Sequence, residues 1–404
     1  MRNRASSARV LIYSHDTFGL GHLRRCRSIA HALVNERKNL SVLILSGSPI
    51  IGSFDFRARV DFVRIPGVIK LRNGEYSSLS LHMDIGEVME LREHILRNTA
   101  QAFDPDIVIV DKEPLGLRGE MLDTLRQQKA AGSHLVLGLR DVMDDPAALA
   151  QEWERKNPVP ALTDLYDAIW VYGLPQICDP LEGIDLPQSV REKMQYTGYL
   201  RRTLPESGPG YTVAELAQQP YILVMTGGGG DGEDLIDWVL RAYEADPDIP
   251  HRALLVFGPF MAPAVREMFR HRVEVLPNVE ALTFDARVEH LIEGAEGVVA
   301  MGGYNTFCEI LSFDKRALVV PREVPRREQL IRASAAEKLG LIRMLPEARS
   351  DDTEAMVKAL RALPEQALPS ESMVGGLLDG LDRIQALVDA ALAERGALPE
   401  AANP

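Results

Sequence analysis

The chain has 404 residues, of which 46% are hydrophobic and 25% charged, and its formal net charge is -13. This length exceeds one ordinary domain and suits two, and the composition is typical of a globular protein. The negative charge argues against a nucleic-acid partner and against broad attachment to anionic lipid, because both need a cationic surface.

Cysteine usage and hydropathy predict a cytoplasmic location. The three cysteines, Cys26, Cys178 and Cys308, are far apart and lack metal-site spacing, which fits a reducing compartment. No run approaches the ~18 apolar residues of a membrane span, and the short run at 10–13 indicates a first strand rather than a signal peptide. Peripheral contact with the inner face of a membrane remains compatible with these features.

The first half alternates short apolar runs with helical patterns. The run 10–13 leads through the loop SHDTFGLGH into a helical pattern at 23–33. Further strands are predicted at 40–45, 60–66, 106–110, 134–139 and 168–171, and helices at 80–102 and 120–131. This alternation predicts a parallel sheet covered on both faces, whose ligands bind at the carboxyl ends of the strands.

Three residues at these strand ends are candidate bases. His22 follows the loop glycines Gly19 and Gly21 at a predicted helix start, where the helix dipole lowers a histidine's pKa. A neutral imidazole there suits a general base, although a capping or loop hydrogen bond is the alternative. Asp111 and Asp141 are further candidate bases, or else caps of the helices that follow.

Other polar side chains at the same strand ends are candidate acceptor-binding groups. They are His15, Lys112, Glu113 and Arg140. For Lys112 and Glu113 the alternative is a surface ion pair between the two. We therefore expect the first half to bind one of two substrates, the acceptor of a transferred group.

Breaker residues indicate a linker at 203–219, with Pro205, Gly208-Pro209 and Gly210 close together. The expected domains are thus 1–202 and 220–375. The segment 376–395 is predicted to form an amphipathic helix that packs back on the first domain, and 396–404 to form a flexible tail.

A glycine-rich loop, TGGGGDG, directly follows the predicted strand 221–225 and precedes a helix at 234–243. Five glycines there indicate close approach of the backbone to a ligand. The loop lacks the Gly-Lys-Ser/Thr ending of a Walker loop and the pattern of a dinucleotide site. Further strands are predicted at 253–257, 273–276 and 317–320, and helices at 286–292 and 331–338.

The stretch MGGYNTFCE, residues 301–309, follows an apolar run at 297–301 and enters a helical pattern at 305–313. Two glycines before a helix N-terminus suit a phosphate, and Glu309, one turn later, suits a ribose hydroxyl pair. The alternative is a tight turn with a surface glutamate. With Gln329 as a second group suited to hydroxyls, we expect a sugar nucleotide.

The predicted fold is α/β, with two Rossmann-like, doubly wound parallel-sheet domains facing across a cleft. The second-half loops carry no lysine or metal-ligand cluster. A diphosphate there is therefore expected to rest on backbone amides and helix dipoles, with no metal or other cofactor.

Two segments resemble the nucleotide-binding half of the peptidoglycan N-acetylglucosaminyltransferase family, which has the GT-B fold. They are 301–309 and EQLIRA at 328–333, closed by EKLG at 337–340. The loop GLGHLRR at 19–25 is similar to that family's glycine loop, and more similar to the GLGH loop of a UDP-sugar hydrolase of pseudaminic acid synthesis. The whole chain most resembles a bacterial group of predicted glycosyltransferases related to both.

The resemblance implies roles at matching positions. Glu309 would hold the ribose, Glu328 and Gln329 would contact the donor sugar, and Phe284 would flank the base. The other implied donor-binding residues are Gly21, Arg202, Gly227, Gly228, Gly229, Gly302, Gly303 and Thr306. The chain departs from the peptidoglycan family in having Glu328 for a glutamine, Arg332 for an asparagine and Arg25 for a proline. These departures bear on N-acetylglucosamine specificity and on the use of a lipid-linked acceptor.

The expected activity is an inverting, metal-independent transfer of a sugar from a UDP-sugar to an acceptor hydroxyl, in cell-envelope or polysaccharide synthesis. The acceptor could be a glycan, a lipid-linked sugar or a small molecule. One alternative is a UDP-sugar hydrolase or epimerase in which His22 activates water. Another is a non-catalytic protein that binds a sugar nucleotide.

Overall fold

The computed structural model describes residues 7–15, 21–71, 75–204, 219–228, 230–285 and 287–396. Its contacts divide the chain into two units. The first comprises Met1–Pro175, Asp179–Leu200 and Asp379–Pro404, and the second comprises Gln176–Cys178 and Arg201–Leu378. Most of the expected linker and nearly all of the expected tail lie outside the described residues.

The described residues form strands in both units. They are β1 Ala8–Ser14, β2 Leu40–Ser46, β3 Val60–Arg64, β4 Val68–Lys70, β5 Tyr76–Ser78, β6 Ile107–Asp111, β7 His134–Arg140, β8 Ala168–Tyr172, β9 Met194–Tyr196, β10 Tyr221–Met225, β11 Arg252–Val256, β12 Val279–Leu282, β13 Gly297–Ala300, β14 Arg316–Val319 and β15 Arg343–Met344.

The α-helices lie between and after the strands. They are α1 Gly21–Glu36, α2 Ile85–Phe103, α3 Leu122–Ala130, α4 Pro146–Lys156, α5 Val159–Asp164, α6 Gln188–Arg191, α7 Glu233–Ala245, α8 Pro263–Glu274, α9 Val288–Gly294, α10 Tyr304–Ser312, α11 Glu328–Lys338, α12 Thr353–Ala362 and α13 Gly380–Glu394.

Each unit is built on one parallel sheet. In the first unit the strand order is β3-β2-β1-β6-β7-β8-β9, and in the second it is β12-β11-β10-β13-β14-β15. The strand order reverses between β1 and β6 in one sheet and between β10 and β13 in the other. The predicted α/β class is confirmed, and each reversal is the point at which open parallel sheets bind ligands.

The apolar runs form strands because both faces of each sheet are covered. In β1, Val10, Leu11, Ile12 and Tyr13 are fully buried, and every residue of β10 is buried. A parallel strand between two helical layers must be apolar on both faces, which explains runs rather than alternation. The rigid strands thereby fix the positions of the residues that follow their carboxyl ends.

One predicted strand is wrong. Residues 273–276 were expected in a strand, but Val273 lies in the last turn of α8, and the strand is β12. The apolar side chains of Val273 and Leu276 pack against the hydrophobic core from the helix and the turn after it. Both segments contain similar apolar runs, so local composition does not separate them.

The last helix belongs to the first unit, where α13 packs beside α1. Arg37 Nε donates to Asp389 Oδ1 at 2.7 Å, and Arg37 Nη2 donates to the carbonyl of Gln385 at 3.0 Å. The apolar face of α13, including Ile384 and Val388, is buried. Across the described ranges, we find no helix with the length and apolar character needed to cross a membrane.

Candidate functional site

The first candidate site lies at the reversal point of the first sheet. His15 follows β1, Asp111 ends β6, and these neighbouring strands pair Tyr13 with Val110. Helix α1 begins at Gly21, so His22 is its second residue. The topology therefore brings together four of the predicted residues: His15, His22, Asp111 and, next along the chain, Lys112.

A buried ion pair connects α1 to β6. Asp111 accepts two hydrogen bonds from Arg25, from Nε to Oδ1 at 2.8 Å and from Nη2 to Oδ2 at 2.7 Å. His22 Nδ1 lies 2.5 Å from the same Oδ2. Arg25 and Asp111 are almost fully buried, whereas the His22 side chain is 19% exposed. Only the histidine of these three thus offers an accessible edge.

The short contact with Asp111 indicates which tautomer His22 adopts. Two lone pairs cannot approach to 2.5 Å, so a proton lies between Nδ1 and the Asp111 carboxylate. Arg25 Nη2 lies 3.0 Å from Nδ1 because both groups converge on one oxygen. In the neutral ring, Nε2 is therefore the nitrogen with a lone pair, and it can accept a proton.

The electrostatics favour a neutral histidine beside a charged carboxylate. Burial lowers the pKa of His22 below its usual value, and Asp111 offsets part of that effect. Burial alone would raise the pKa of Asp111, but Arg25 and His22 together hold it well below its usual range. The arrangement is that of a general base whose orientation is set by a permanently ionised partner.

His15 lies against His22, with ring centroids 5.7 Å apart in an edge-to-face arrangement. Burial lowers the pKa of His15 well below its usual value, so its ring is neutral. Lys112 Nζ lies 3.8 Å from Glu113 Oε1, and Lys156 Nζ lies 2.7 Å from Glu113 Oε2. Although burial opposes it, these cations lower the pKa of Glu113 to about 2. Glu113 is thus occupied by two lysines.

The hydrogen bonds of Asp141 indicate a structural role. It is 0% exposed, its Oδ2 accepts from the Tyr199 hydroxyl at 2.6 Å, and its Oδ1 accepts from the Val142 amide at 2.8 Å. Both oxygens are used within the fold, so we do not retain Asp141 as a candidate base. Arg140, one residue earlier, is the last residue of β7 and is half-buried.

The second candidate site lies at the reversal point of the second sheet. After β10, Gly227 has a φ of +66°, which favours glycine. The carbonyl of Gly228 accepts from the Phe260 amide at 2.9 Å, and both glycines are exposed. Gly229 lies outside the described residues. Phe284, which follows β12, is 52% exposed, as a base-stacking role would require.

The turn between β13 and α10 has the predicted form. Gly302 has a φ of +78°, and a Cβ there would lie 2.7 Å from Val319 Cγ1, whereas a Cβ on Gly303 would meet nothing within 4 Å. Gly303 therefore presents an open face just before the helix. Thr306, in the first turn of α10, is half-buried.

Two arginines hold this turn. Arg332 is 1% exposed, and its Nη1 donates to the Gly302 carbonyl at 3.0 Å. Arg202 Nη2 donates to Asn305 Oδ1 at 2.8 Å, so the arginine predicted near the nucleotide lies at the start of α10. Sequence analysis noted Arg332 only as a departure from the family pattern, and did not predict its contact with Gly302, 30 residues away in the chain.

Glu309 is 0% exposed, so the alternative of a surface glutamate is wrong. A ribose contact through this carboxylate would require the groups that cover it to move. Glu309 is the sixth residue of α10, so it lies between one and two turns from the glycines.

A cation that sequence analysis did not single out lies near the donor-binding candidates. Arg322 Nη1 pairs with Asp231 in the glycine-rich loop, and its Nη2 donates to Glu328 Oε1 at 2.6 Å. The Arg322 amide donates to Gln329 Oε1 at 2.9 Å. Two predicted sugar-contact residues are thus bound to Arg322. Its position just beyond β14 was the available signal, since strand ends carry the candidates throughout.

Among the described residues, no group of three or more His, Cys, Asp or Glu side chains is arranged to hold a metal ion. The positively charged groups described at the two sites are the arginine and lysine side chains named above.

Residues 222–375 match the glycosyltransferase family 28 C-terminal domain. A relative from Methanosarcina acetivorans, described as an uncharacterized glycosyltransferase, is 25% identical over 398 residues, covering 92% of this chain and 95% of the relative.

Two solved structures have a similar fold. The calicheamicin glycosyltransferase CalG4 superposes with a TM-score of 0.60 at 15% identity, over 96% of this chain and 98% of that one. A protein from Listeria monocytogenes that is assigned as a UDP-N-acetylglucosamine 2-epimerase superposes with a TM-score of 0.64 at 16% identity, over 99% of this chain and 100% of that one. The chain thus has a fold of the GT-B type, and its residues 222–375 are similar to the C-terminal domain of glycosyltransferase family 28.

Proposed function

We propose that the protein transfers a sugar from a nucleotide-sugar donor, a UDP-sugar, to an acceptor hydroxyl, with inversion and without a metal. The observation that supports it best is the contact between His22 and Asp111 at the reversal point of the first sheet. It combines an accessible base with a buried carboxylate that orients it.

In the proposed step, the acceptor hydroxyl gives its proton to His22 Nε2 as its oxygen bonds to the anomeric carbon. The bond from that carbon to the phosphate oxygen breaks, and its electron pair leaves with the nucleoside diphosphate. Asp111 stabilises the imidazolium through Nδ1–H, and Arg25 keeps Asp111 ionised. A single displacement of this kind inverts the anomeric configuration.

The second unit is proposed to bind the donor. The exposed glycines after β10 and the open face of Gly303 support a diphosphate-binding role, because backbone amides there can approach phosphate oxygens. Stabilising the charge that develops on the leaving diphosphate lowers the barrier. The exposed ring of Phe284 supports stacking on the base.

The test is UDP release from a panel of UDP-sugars, with and without candidate acceptors. His22→Ala should reduce acceptor-dependent release by about a hundredfold or more, the usual contribution of a general base. His271→Ala, at an exposed histidine of α8, is the matched control and should act like the parent protein. Equal rates for the parent and the His22 variant would refute the assigned base.

A second candidate is an epimerase or hydrolase acting on a UDP-sugar, favoured by the similarity in fold to the 2-epimerase. In a hydrolase, water would replace the acceptor hydroxyl at His22. Sugar release that is fast without acceptor would support the hydrolase, and conversion of the donor to its 2-epimer, followed by proton NMR, would support the epimerase. Acceptor-dependent transfer with neither reaction would support the transferase.

A further inference from the structure

Arg322 connects two segments of the second unit in which we expect the donor to bind. Its Nη1 pairs with Asp231 of the glycine-rich loop, and its Nη2 donates to Glu328 at the start of α11. The side chain of Arg322 is 18% exposed, that of Asp231 is 42% exposed, and that of Glu328 is 9% exposed. The guanidinium therefore has one buried carboxylate partner and one that lies at the surface.

The loop around Asp231 presents an electrostatic conflict for a phosphate ligand. Exposed glycines offer amides to an anion, yet a carboxylate belongs to the same loop and repels one. Arg322 is the cation that neutralises this carboxylate. Its Nε is buried and has no hydrogen-bond partner among the described residues, so the guanidinium has hydrogen-bonding capacity left.

We propose that Arg322 binds the diphosphate of the donor and that Asp231 competes with the diphosphate for it. The inference rests on the proposed function, and it assigns the residue that recognises the charged part of the substrate. A phosphate can accept two parallel hydrogen bonds from a guanidinium, which a single carboxylate oxygen on Nη1 does not. Glu328 keeps the guanidinium in place while the exposed Asp231 gives way.

A purely structural role for the Arg322–Asp231 pair predicts something different. If the pair only fastened the loop, removing either partner would loosen it, and both substitutions would weaken nucleotide binding. Competition predicts opposite signs, because removing Arg322 removes the binding group while removing the Asp231 charge removes its rival. The signs of the two effects therefore decide between the roles.

The experiment is calorimetric titration of the full chain with UDP, and with GDP, ADP and dTDP in case the base differs. Arg322→Gln should weaken UDP binding by about ten- to a hundredfold, the range for a charge-assisted hydrogen bond, and Arg322→Lys should restore part of it. Asp231→Asn should tighten binding by about three- to tenfold, since it removes one close like charge. Binding of uridine, which lacks phosphate, should stay the same in all variants.

Arg361→Gln is the matched control. Arg361 likewise pairs with a carboxylate of the second unit, since its Nε and Nη2 both donate to Asp246. Asp246 lies at the end of α7, at the edge of the sheet opposite the strand carboxyl ends. It should leave UDP affinity unchanged, and thermal unfolding should show every variant folded. Unchanged binding by Arg322→Gln, or weaker binding by Asp231→Asn, would overturn the inference alone. A parent protein that binds no nucleoside diphosphate would overturn the proposed function, and the inference with it.

Discussion

Nδ1 of His22 lies 2.5 Å from Oδ2 of Asp111, although the two residues are 89 positions apart in the chain. Sequence analysis gave them as alternative bases. The structure makes them partners with different tasks, because Asp111 is buried and bound by Arg25 whereas His22 has an accessible edge.

Asp111→Asn should lower kcat by about a hundredfold or more, because an amide does not hold the Nδ1–H tautomer or stabilise the imidazolium. The measurement is kcat for acceptor-dependent UDP release. In the double variant with His22→Ala, the second substitution should add little, since the two residues act as a unit. Asp141→Asn is the control carboxylate, and a comparable loss of kcat there would contradict the assignment.

The pH dependence of kcat/KM should reflect a histidine that is hard to protonate. Burial lowers the pKa of His22, and the neutral ring is the active form, so activity should persist as the pH falls past about 6.5, the ordinary value. It should decline only at lower pH, when the coupled His22–Asp111 pair takes up a proton. A decline centred above the ordinary histidine value would show that a different group controls the rate.

Arg25→Met should destabilise the protein by about 3–5 kcal/mol, because Asp111 would remain buried without its cation. Urea unfolding at pH 7 measures the effect. The pKa of Asp111 is depressed in the folded state. The difference in free energy of unfolding between parent and variant should therefore be largest above the ordinary pKa of about 3.9 and should decrease as the pH falls below it.

The matched control for Arg25 is Arg126→Met, which removes an exposed pair with Asp123 and should cost at most about 1 kcal/mol. Equal effects of the two substitutions would mean that the buried pair contributes no more than a surface pair. That result would contradict the role of Arg25 in keeping Asp111 ionised.

Gly302→Ala and Gly303→Ala should separate stability from binding. At Gly302 the positive φ and the contact with Val319 should make alanine cost about 1–3 kcal/mol of unfolding free energy. At Gly303, with a φ of -57° and open space around the Cβ, alanine should change stability by less than about 0.5 kcal/mol. Gly303→Ala should nevertheless weaken UDP binding, because the methyl group would lie where the backbone is proposed to approach phosphate.

Thermal unfolding and calorimetry on the two glycine variants supply the measurements. UDP affinity equal to that of the parent in Gly303→Ala would mean that no phosphate approaches this backbone. The Gly302 interpretation would be wrong if alanine there left the free energy of unfolding unchanged.

The parallel sheets were predictable from sequence because buried strands between helical layers appear as unbroken apolar runs, as in β1 and β10. The positions of the candidate residues were also predictable, because the residues that follow parallel strands lie along one edge of the sheet. What the sequence could not give was side-chain pairing across long separations. Arg25 was noted only as a departure from a family pattern, and Arg322 not at all, because their roles depend on Asp111 and Asp231 lying beside them in space.

The strand assigned to 273–276 failed for a local reason. Its apolar residues serve the core from a helix and a turn, and four residues are too few to distinguish a period of two from one of 3.6. For Asp141 the position at a strand end predicted a catalytic base. The structure instead shows a hydrogen bond from the Tyr199 hydroxyl, which long-range packing determines and local sequence does not.

The contact of α13 with α1 has a consequence for how the protein is made. The first unit includes α13, because the Arg37 side chain donates to Asp389 and the carbonyl of Ala32 accepts from Gln385. During synthesis the first unit therefore stays incomplete until α13 has left the ribosome. All residues of the second unit precede α13 in the chain and are synthesised earlier. We therefore expect the first unit to complete its folding after the second.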